Sequence, residues 1–264
     1  MYEYARTEPV TVSLRALSGR VDVEAGHRDT IQVDVTPLRD SSAARDLAAE
    51  VEVALDGDTL VVRVPERRGA LWRRGHSLAI SIKVPEGSTL TGRSAAAPVR
   101  ATGRYAQVSL DLSSGDSEVE SVDGDARITT ASGHLTVGQA GGAVTLKTSS
   151  GHLTIGDVTG DVKAGTSSGD IRLGSAGASV EASSASGEIE VGRLHHGQAR
   201  IRTSSGDVRV GVAPGTGVWL DLDTSSGRNV NNLAAPGDDI APTGATLELK
   251  IRTASGDIHV QRAA

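Results

Sequence analysis

The chain has 264 residues and no cysteine, which excludes disulfides and thiolate chemistry. Its 27 Lys and Arg against 33 Asp and Glu leave a net charge of −6 with the signs interspersed, a balance that disfavours a general nucleic-acid binder. Aromatic side chains are almost absent (no Phe, two Trp, three Tyr) while glycine numbers 32, which suits a thin layered body better than a thick globular core.

The opening residues, MYEYARTEPV, have neither a basic nor an apolar leader region, and no stretch reaches the ~20 apolar residues of a membrane span. The chain as written is therefore expected in the cytoplasm. Residues 10 to 36 alternate: Val10, Val12 and Leu14, then Val21 and Val23, then Ile31, Val33 and Val35. Period-two alternation predicts three strands with one face buried. Ser41 to Glu50 carries a capping serine ahead of Ala, Leu and Arg and predicts a short helix. Val51–Leu55 and Leu60–Val64 flank Asp56-Gly57-Asp58, a hairpin signal. Leu78 to Val84 predicts another strand, stopped at Pro85-Glu86-Gly87. Residues 1–92 read as a β-rich cap with one short helix, because the open end of a stacked fold must be covered. Residues 93–264 read as the stacked fold itself.

From Ser114 onward the chain repeats. Ser114-Gly115, Ser132-Gly133, Ser150-Gly151, Ser168-Gly169 and Ser186-Gly187 are spaced 18 residues apart, and Ser205-Gly206, Ser226-Gly227 and Ser255-Gly256 follow after 19, 21 and 29. A fixed period of this kind marks a repeat architecture. Within Ser150–Ser167, Leu153 and Ile155 alternate with Thr154, and Val162 and Ala164 alternate with Lys163. Gly151 and Gly160 precede these strands and Gly156 and Gly165 follow them, which predicts two strands and two corners per repeat. Five inward apolar side chains, at roughly 1.5–3 kcal/mol each, do not offset the entropy of ordering a whole coil. Stacked in register, the coils share ladder hydrogen bonds and a continuous core. The prediction is an all-β parallel β-solenoid with coils of about 18 residues, right-handed by the chirality of crossover connections. Arg228 to Thr243, polar and holding Pro236 and Pro242, predicts a lateral loop.

The unit T-x-S-G-D-[IV]-x-[VL] recurs at Thr166–Leu173, Thr203–Val210 and Thr253–Val260. Through it the chain resembles the bacterial putative-adhesin family of β-strand repeat proteins, a domain of unknown function. The resemblance covers the C-terminal two thirds and, more loosely, Val10–Val23 and Ile82–Leu90. It implies a β-helix-like fold and names no ligand.

Three groups of side chains invite a functional reading. The residue after each Ser-Gly runs Asp116, His134, His152, Asp170, Glu188, Asp207, Arg228, Asp257. His134 and His152 could share a metal with Asp116 or Asp170; the simpler reading is that Asp and His satisfy corner amides. Outward of the repeats, Arg172, Glu190 and Arg209 alternate in sign beside Asp170, Glu188 and Asp207, a face for a glycan or a basic partner, or a plain solvated one. Finally, Arg67, Arg68, Arg73 and Arg74 surround Trp72, a combination that engages phosphates, anionic lipid or nucleobases. Serines recur as corner residues in every coil, so none is singled out as a nucleophile. No phosphate loop or dinucleotide fingerprint occurs, so no cofactor is expected. Together these readings point to a non-enzymatic scaffold for protein binding or self-assembly, end-to-end filaments included. A carbohydrate-binding or carbohydrate-active β-helix acting through the Asp170–Arg209 face is the first alternative, and an anionic-surface binder acting through Arg67–Arg74 the second.

Overall fold

Alternating apolar residues bounded by glycine give strands almost everywhere they are expected. The computed structural model describes residues 1–65, 77–233 and 246–263. Among them lies one helix, and nearly everything else is β-strand. The architecture is the all-β parallel β-solenoid, in two units, Met1–Gly133 and His134–Ala264.

The first unit contains β1 (Tyr2–Ala5), β2 (Thr11–Ala16), β3 (Gly19–Gly26), β4 (Thr30–Pro37), α1 (Ser42–Ala49), β5 (Glu52–Asp56) and β6 (Thr59–Arg63). It continues with β7 (Leu78–Pro85), β8 (Thr89–Ser94), β9 (Val99–Tyr105), β10 (Gln107–Leu112), β11 (Ser117–Val122) and β12 (Ala126–Thr129). Its two sheets run β1-β4-β7-β3-β9-β11 and β5-β6-β2-β8-β10-β12. Each coil gives one strand to each sheet, and the coils do not stack in chain order. Ser13 of β2 lies opposite both Val61 of β6 and Thr91 of β8. Val21 of β3 lies opposite both Ile80 and Val99. The β2–β3 coil, first in the sequence, is thus slotted between the β6–β7 and β8–β9 coils. Antiparallel partners close this end: β4 on β7, β1 on β4 and β5 on β6. The predicted helix forms over Ser42–Ala49, with the Ser41 hydroxyl accepting from the Ala44 amide, and Ala44 and Leu47 buried.

Tyr105 is the one large aromatic side chain fully buried among the described residues. Its hydroxyl donates to the Val23 carbonyl at 2.9 Å, and burial above all, with Glu24 adding to it, pushes its pKa well above the ordinary tyrosine value. The folded state therefore holds this proton more tightly than the unfolded chain. The resulting stability is fully present below the unfolded value near pH 10 and is lost as pH rises beyond it. Tyr105→Phe should cost about 1 kcal/mol at neutral pH. In urea titrations at a series of alkaline pH values, the variant should lose less stability above pH ~10 than the parent. Parallel losses in the two proteins would contradict this assignment.

The second unit contains β13 (Leu135–Ala140), β14 (Val144–Lys147), β15 (Leu153–Val158), β16 (Val162–Gly165), β17 (Ile171–Ala176), β18 (Val180–Ser183) and β19 (Ile189–Leu194). Then come β20 (Gly197–Arg202), β21 (Val208–Val212), β22 (Val218–Ser226), β23 (Asn229–Asn232), β24 (Leu247–Ser255) and β25 (Ile258–Arg262). Its sheets run β13-β15-β17-β19-β21-β25-β23 and β14-β16-β18-β20-β24-β22. Leu135, Leu153, Ile171 and Ile189 are register partners in a row, as the 18-residue period requires. All are essentially inaccessible to solvent.

Three expectations are corrected here. Gly156 does not follow a strand. It lies inside β15, where the pairing skips Gly138 and Gly156 alike without changing register, and Ile155 and Val158 on either side are both buried. The polar stretch beginning at Arg228 is not wholly a loop, since Asn229–Asn232 forms β23 on β25; its part from residue 234 to 243 lies outside the described residues. And the late Ser-Gly pairs are not successive windings. Ser205 bridges to Ser255, and Ser226 pairs with Ser255, so the last coil in the sequence is the middle one of the final three.

Candidate binding surface

The recurring T-x-S-G-D unit builds a corner in which each residue has one task. The threonine faces inward and its hydroxyl closes the turn: Thr166 donates to the Ser168 and Gly151 carbonyls, both at 3.2 Å. Thr130, Thr148, Ser184, Thr203 and Thr253 repeat this buried position. The glycines stand at φ between +142° and +151° from Gly133 to Gly256 through the column. A Cβ at Gly169 would sit 2.1 Å from the Gly151 carbonyl oxygen. The next side chain spans to the following coil. Asp170 accepts the Glu188 amide at 3.0 Å, Asp207 accepts the Asp257 amide at 2.9 Å, and Asp257 accepts the Arg228 amide at 2.9 Å. That amide first, and the Arg228 guanidinium second, hold the Asp257 carboxyl below its usual range.

Histidine occupies the same slot by the same chemistry. His134 accepts the His152 amide at Nδ1 (3.1 Å), and His152 accepts the Asp170 amide at Nδ1 (3.0 Å). Their rings stack with centroids 5.0 Å apart and planes 3° from parallel. A neutral imidazole that accepts at Nδ1 carries its proton at Nε2. The Nδ1 lone pairs are therefore committed to the ladder. No group of three or more His, Asp or Glu arranged to hold a metal occurs among the described residues.

The alternating face is assembled as its spacing implies, and its charges face each other. Arg172 lies opposite Glu190, and Glu190 opposite Arg209. Arg209 reaches Glu188 at 2.9 Å and Asp207 at 3.3 Å, and Arg172 reaches Asp170 at 3.3 Å and Glu190 at 4.0 Å. Glutamate, one methylene longer than aspartate, turns Glu188 toward Arg209. Arg67, Arg68, Trp72, Arg73 and Arg74 lie outside the described residues.

A feature that sequence reasoning missed is the outermost coil of the second unit. In β24 the inward Leu247, Leu249 and Ile251 are buried. Their partners in β22, Val218, Leu220 and Leu222, are only half-buried, and Trp219 is 48% exposed with the Lys250 ammonium 5.3 Å from its ring. In β23 the positions opposite Ile258 and Val260 are Asn229 and Asn231, both exposed. Among the described residues β22 and β23 each pair on one side only.

The repeat unit, its corner ladder and its paired sheets agree with one family. Its model, Toastrack DUF4097, matches residues 11–228 and 142–264. The chain belongs to the Toastrack DUF4097 family. Solved structures similar to this Toastrack chain include an adhesin, described as putative, from Bacteroides fragilis NCTC 9343. That protein is 14% identical, with 98% of this chain and 95% of that one covered and a TM-score of 0.39. A protein of the same description from Parabacteroides merdae ATCC 43184 is 9% identical, with 98% and 94% covered and a TM-score of 0.41. No curated protein sequence matches the chain. No helix among the described residues is long and apolar enough to cross a membrane.

Proposed function

We propose that this Toastrack chain is a non-enzymatic scaffold that works by binding protein, and that a second copy of itself, meeting it at β22, is the partner the geometry favours. The observation that carries this reading is the half-exposed row Val218, Leu220 and Leu222 on a strand that, among the described residues, pairs on one side only. Such an edge carries backbone donors and acceptors that pair with another strand, and the apolar row adds the contact area that makes pairing worthwhile. Two identical edges meet about a twofold axis, which makes the new pairing antiparallel and the product a closed dimer rather than an open filament. At the other end of the sequence β5, which among the described residues pairs only with β6, runs antiparallel to it and so offers β22 no parallel template for head-to-tail growth. The scaffold reading is further supported by the serines, which serve as bridged corner residues coil after coil.

Light scattering coupled to size-exclusion chromatography tests this. The protein should shift with concentration from 27.0 kDa to twice that mass. Leu220→Lys, which sets a charge into the row, should hold it at the monomer mass. A parent chain that stays monomeric at the highest attainable concentration would refute the self-pairing.

A further inference from the structure

On the outward face of the first unit, three arginines occupy matching positions on neighbouring strands. Arg15 of β2 lies opposite Arg63 of β6 on one side and Arg93 of β8 on the other. Strand spacing sets their backbones about 4.8 Å apart, and like charges placed directly opposite each other destabilise a sheet. In the second unit the Arg172, Glu190 and Arg209 row alternates in sign. Where like charges do meet there, Arg200 opposite Lys250 and Arg202 opposite Arg252, the β24 member holds a carboxylate, Lys250 that of Glu248 and Arg252 that of Asp221. Here the outer two arginines have carboxylates, Arg63 with Glu52 at 3.1 Å and Arg93 with Asp111 at 4.0 Å, and Asp111 also takes the Thr129 hydroxyl. Arg15, in the middle and exposed, has no carboxylate within 4 Å among the described residues. Beside this ridge runs a row of small hydroxyl side chains, Ser13, Thr91 and Ser109, in register across β2, β8 and β10. Arg15, Arg93 and these hydroxyls, with Asp111 at one side, line a shallow groove of about 280 Å³, and Arg63 stands next to Arg15 beyond it.

We propose that this ridge and groove bind an extended polyanionic glycan, a chain of carboxylate-bearing sugars laid across the strands. A repeating acid supplies one negative group per strand step, so that successive carboxylates meet Arg63, Arg15 and Arg93. Guanidinium pairs with carboxylate through two parallel hydrogen bonds. The sugar hydroxyls find donors and acceptors in Ser13 and Ser109 and an acceptor in Thr91, whose own proton goes to the Val12 carbonyl at 3.0 Å. Single-stranded nucleic acid would want aromatic platforms for its bases, and no described residue lining this groove is aromatic. Each bound carboxylate also relieves the repulsion among the three guanidinium groups.

Isothermal titration with polygalacturonate, neutral dextran and oligothymidylate, on the full chain, decides the matter. Polygalacturonate should bind, with affinity falling as salt rises, and dextran should not. Arg15→Thr, a strand-compatible change, should weaken polygalacturonate binding roughly tenfold, as loss of a charge-assisted contact does. Its melting temperature should equal or exceed the parent's, since the change removes a repulsion. Arg209→Thr, on the self-paired face, should leave binding unchanged. The proposal fails if polygalacturonate does not bind, if Arg15→Thr binds as the parent does, if Arg209→Thr weakens binding equally, or if oligothymidylate binds more tightly than polygalacturonate.

Discussion

Gly169→Ala should destabilise the second unit by roughly 2–6 kcal/mol, while Gly165→Ala in the preceding strand should change little. Both add the same methyl group. At Gly169 the backbone lies at φ +142°, and the new Cβ would fall 2.1 Å from the Gly151 carbonyl oxygen and 2.7 Å from its carbon. Neither obstacle can move, because the Gly169 amide donates to Ser186 at 2.9 Å and the Gly151 amide to Ser168 at 2.9 Å, which locks the corner between its neighbours. At Gly165 the nearest obstacle is the Ser183 hydroxyl at 3.5 Å, an ordinary contact, and no positive φ is required. Urea titration of the two variants measures the contrast. Equal effects would mean that the corners do not lie directly above one another.

Removing residues 247–264 should unfold more than the part removed. β24 and β25 form the only described neighbours of β22 and β23, so their loss strands residues 218–232 without a ladder. An isolated two-stranded coil does not hold itself together in water. Hydrogen exchange should show amides of 218–232 exchanging as in an unfolded peptide, while β13 to β19 keep their protection. Had the coils stacked in chain order, the same truncation would peel away only the last one and leave 218–232 protected on β20 and β21.

This out-of-order stacking marks the boundary of what the sequence makes legible. The strands, the 18-residue register and the inward columns are all written in local alternation and a fixed period, and Leu135, Leu153 and Ile171 meet as that pattern demands. The order of the final coils depends on which segment returns to fill a gap, and alternation does not encode that. A signal for it was nonetheless present. Thr253–Val260 keeps the complete unit, with Asp257 to reach the next amide and Ile258 and Val260 to fill a core from both sides. The segment after Ser226-Gly227 has Arg228 in place of the acid, and Asn229 and Asn231 where a core would be. A coil with polar residues at inward positions can only be an end coil, since an interior one would bury them without partners.

The candidate surfaces divide along the same line. The alternating row from Arg172 to Arg209 could be read directly, because a strict period places equivalent residues side by side. The arginine ridge could not, since Arg15, Arg63 and Arg93 are brought together only by the insertion of β2 between β6 and β8. Tyr105 escaped notice for a related reason: its partner Val23 lies 82 residues away in the sequence.

The stacking of coils in matching columns, with the last coil placed second from the end, has a direct covalent test in a chain with no native cysteine. Ser205 and Ser255 are register partners and exposed, and parallel partners at about 4.8 Å lie within the Cα separation that a disulfide spans. Under mild oxidation the double variant Ser205→Cys/Ser255→Cys should form an intramolecular disulfide, and Ser205→Cys/Ser226→Cys should not. A disulfide between 205 and 226, with none between 205 and 255, would contradict the account.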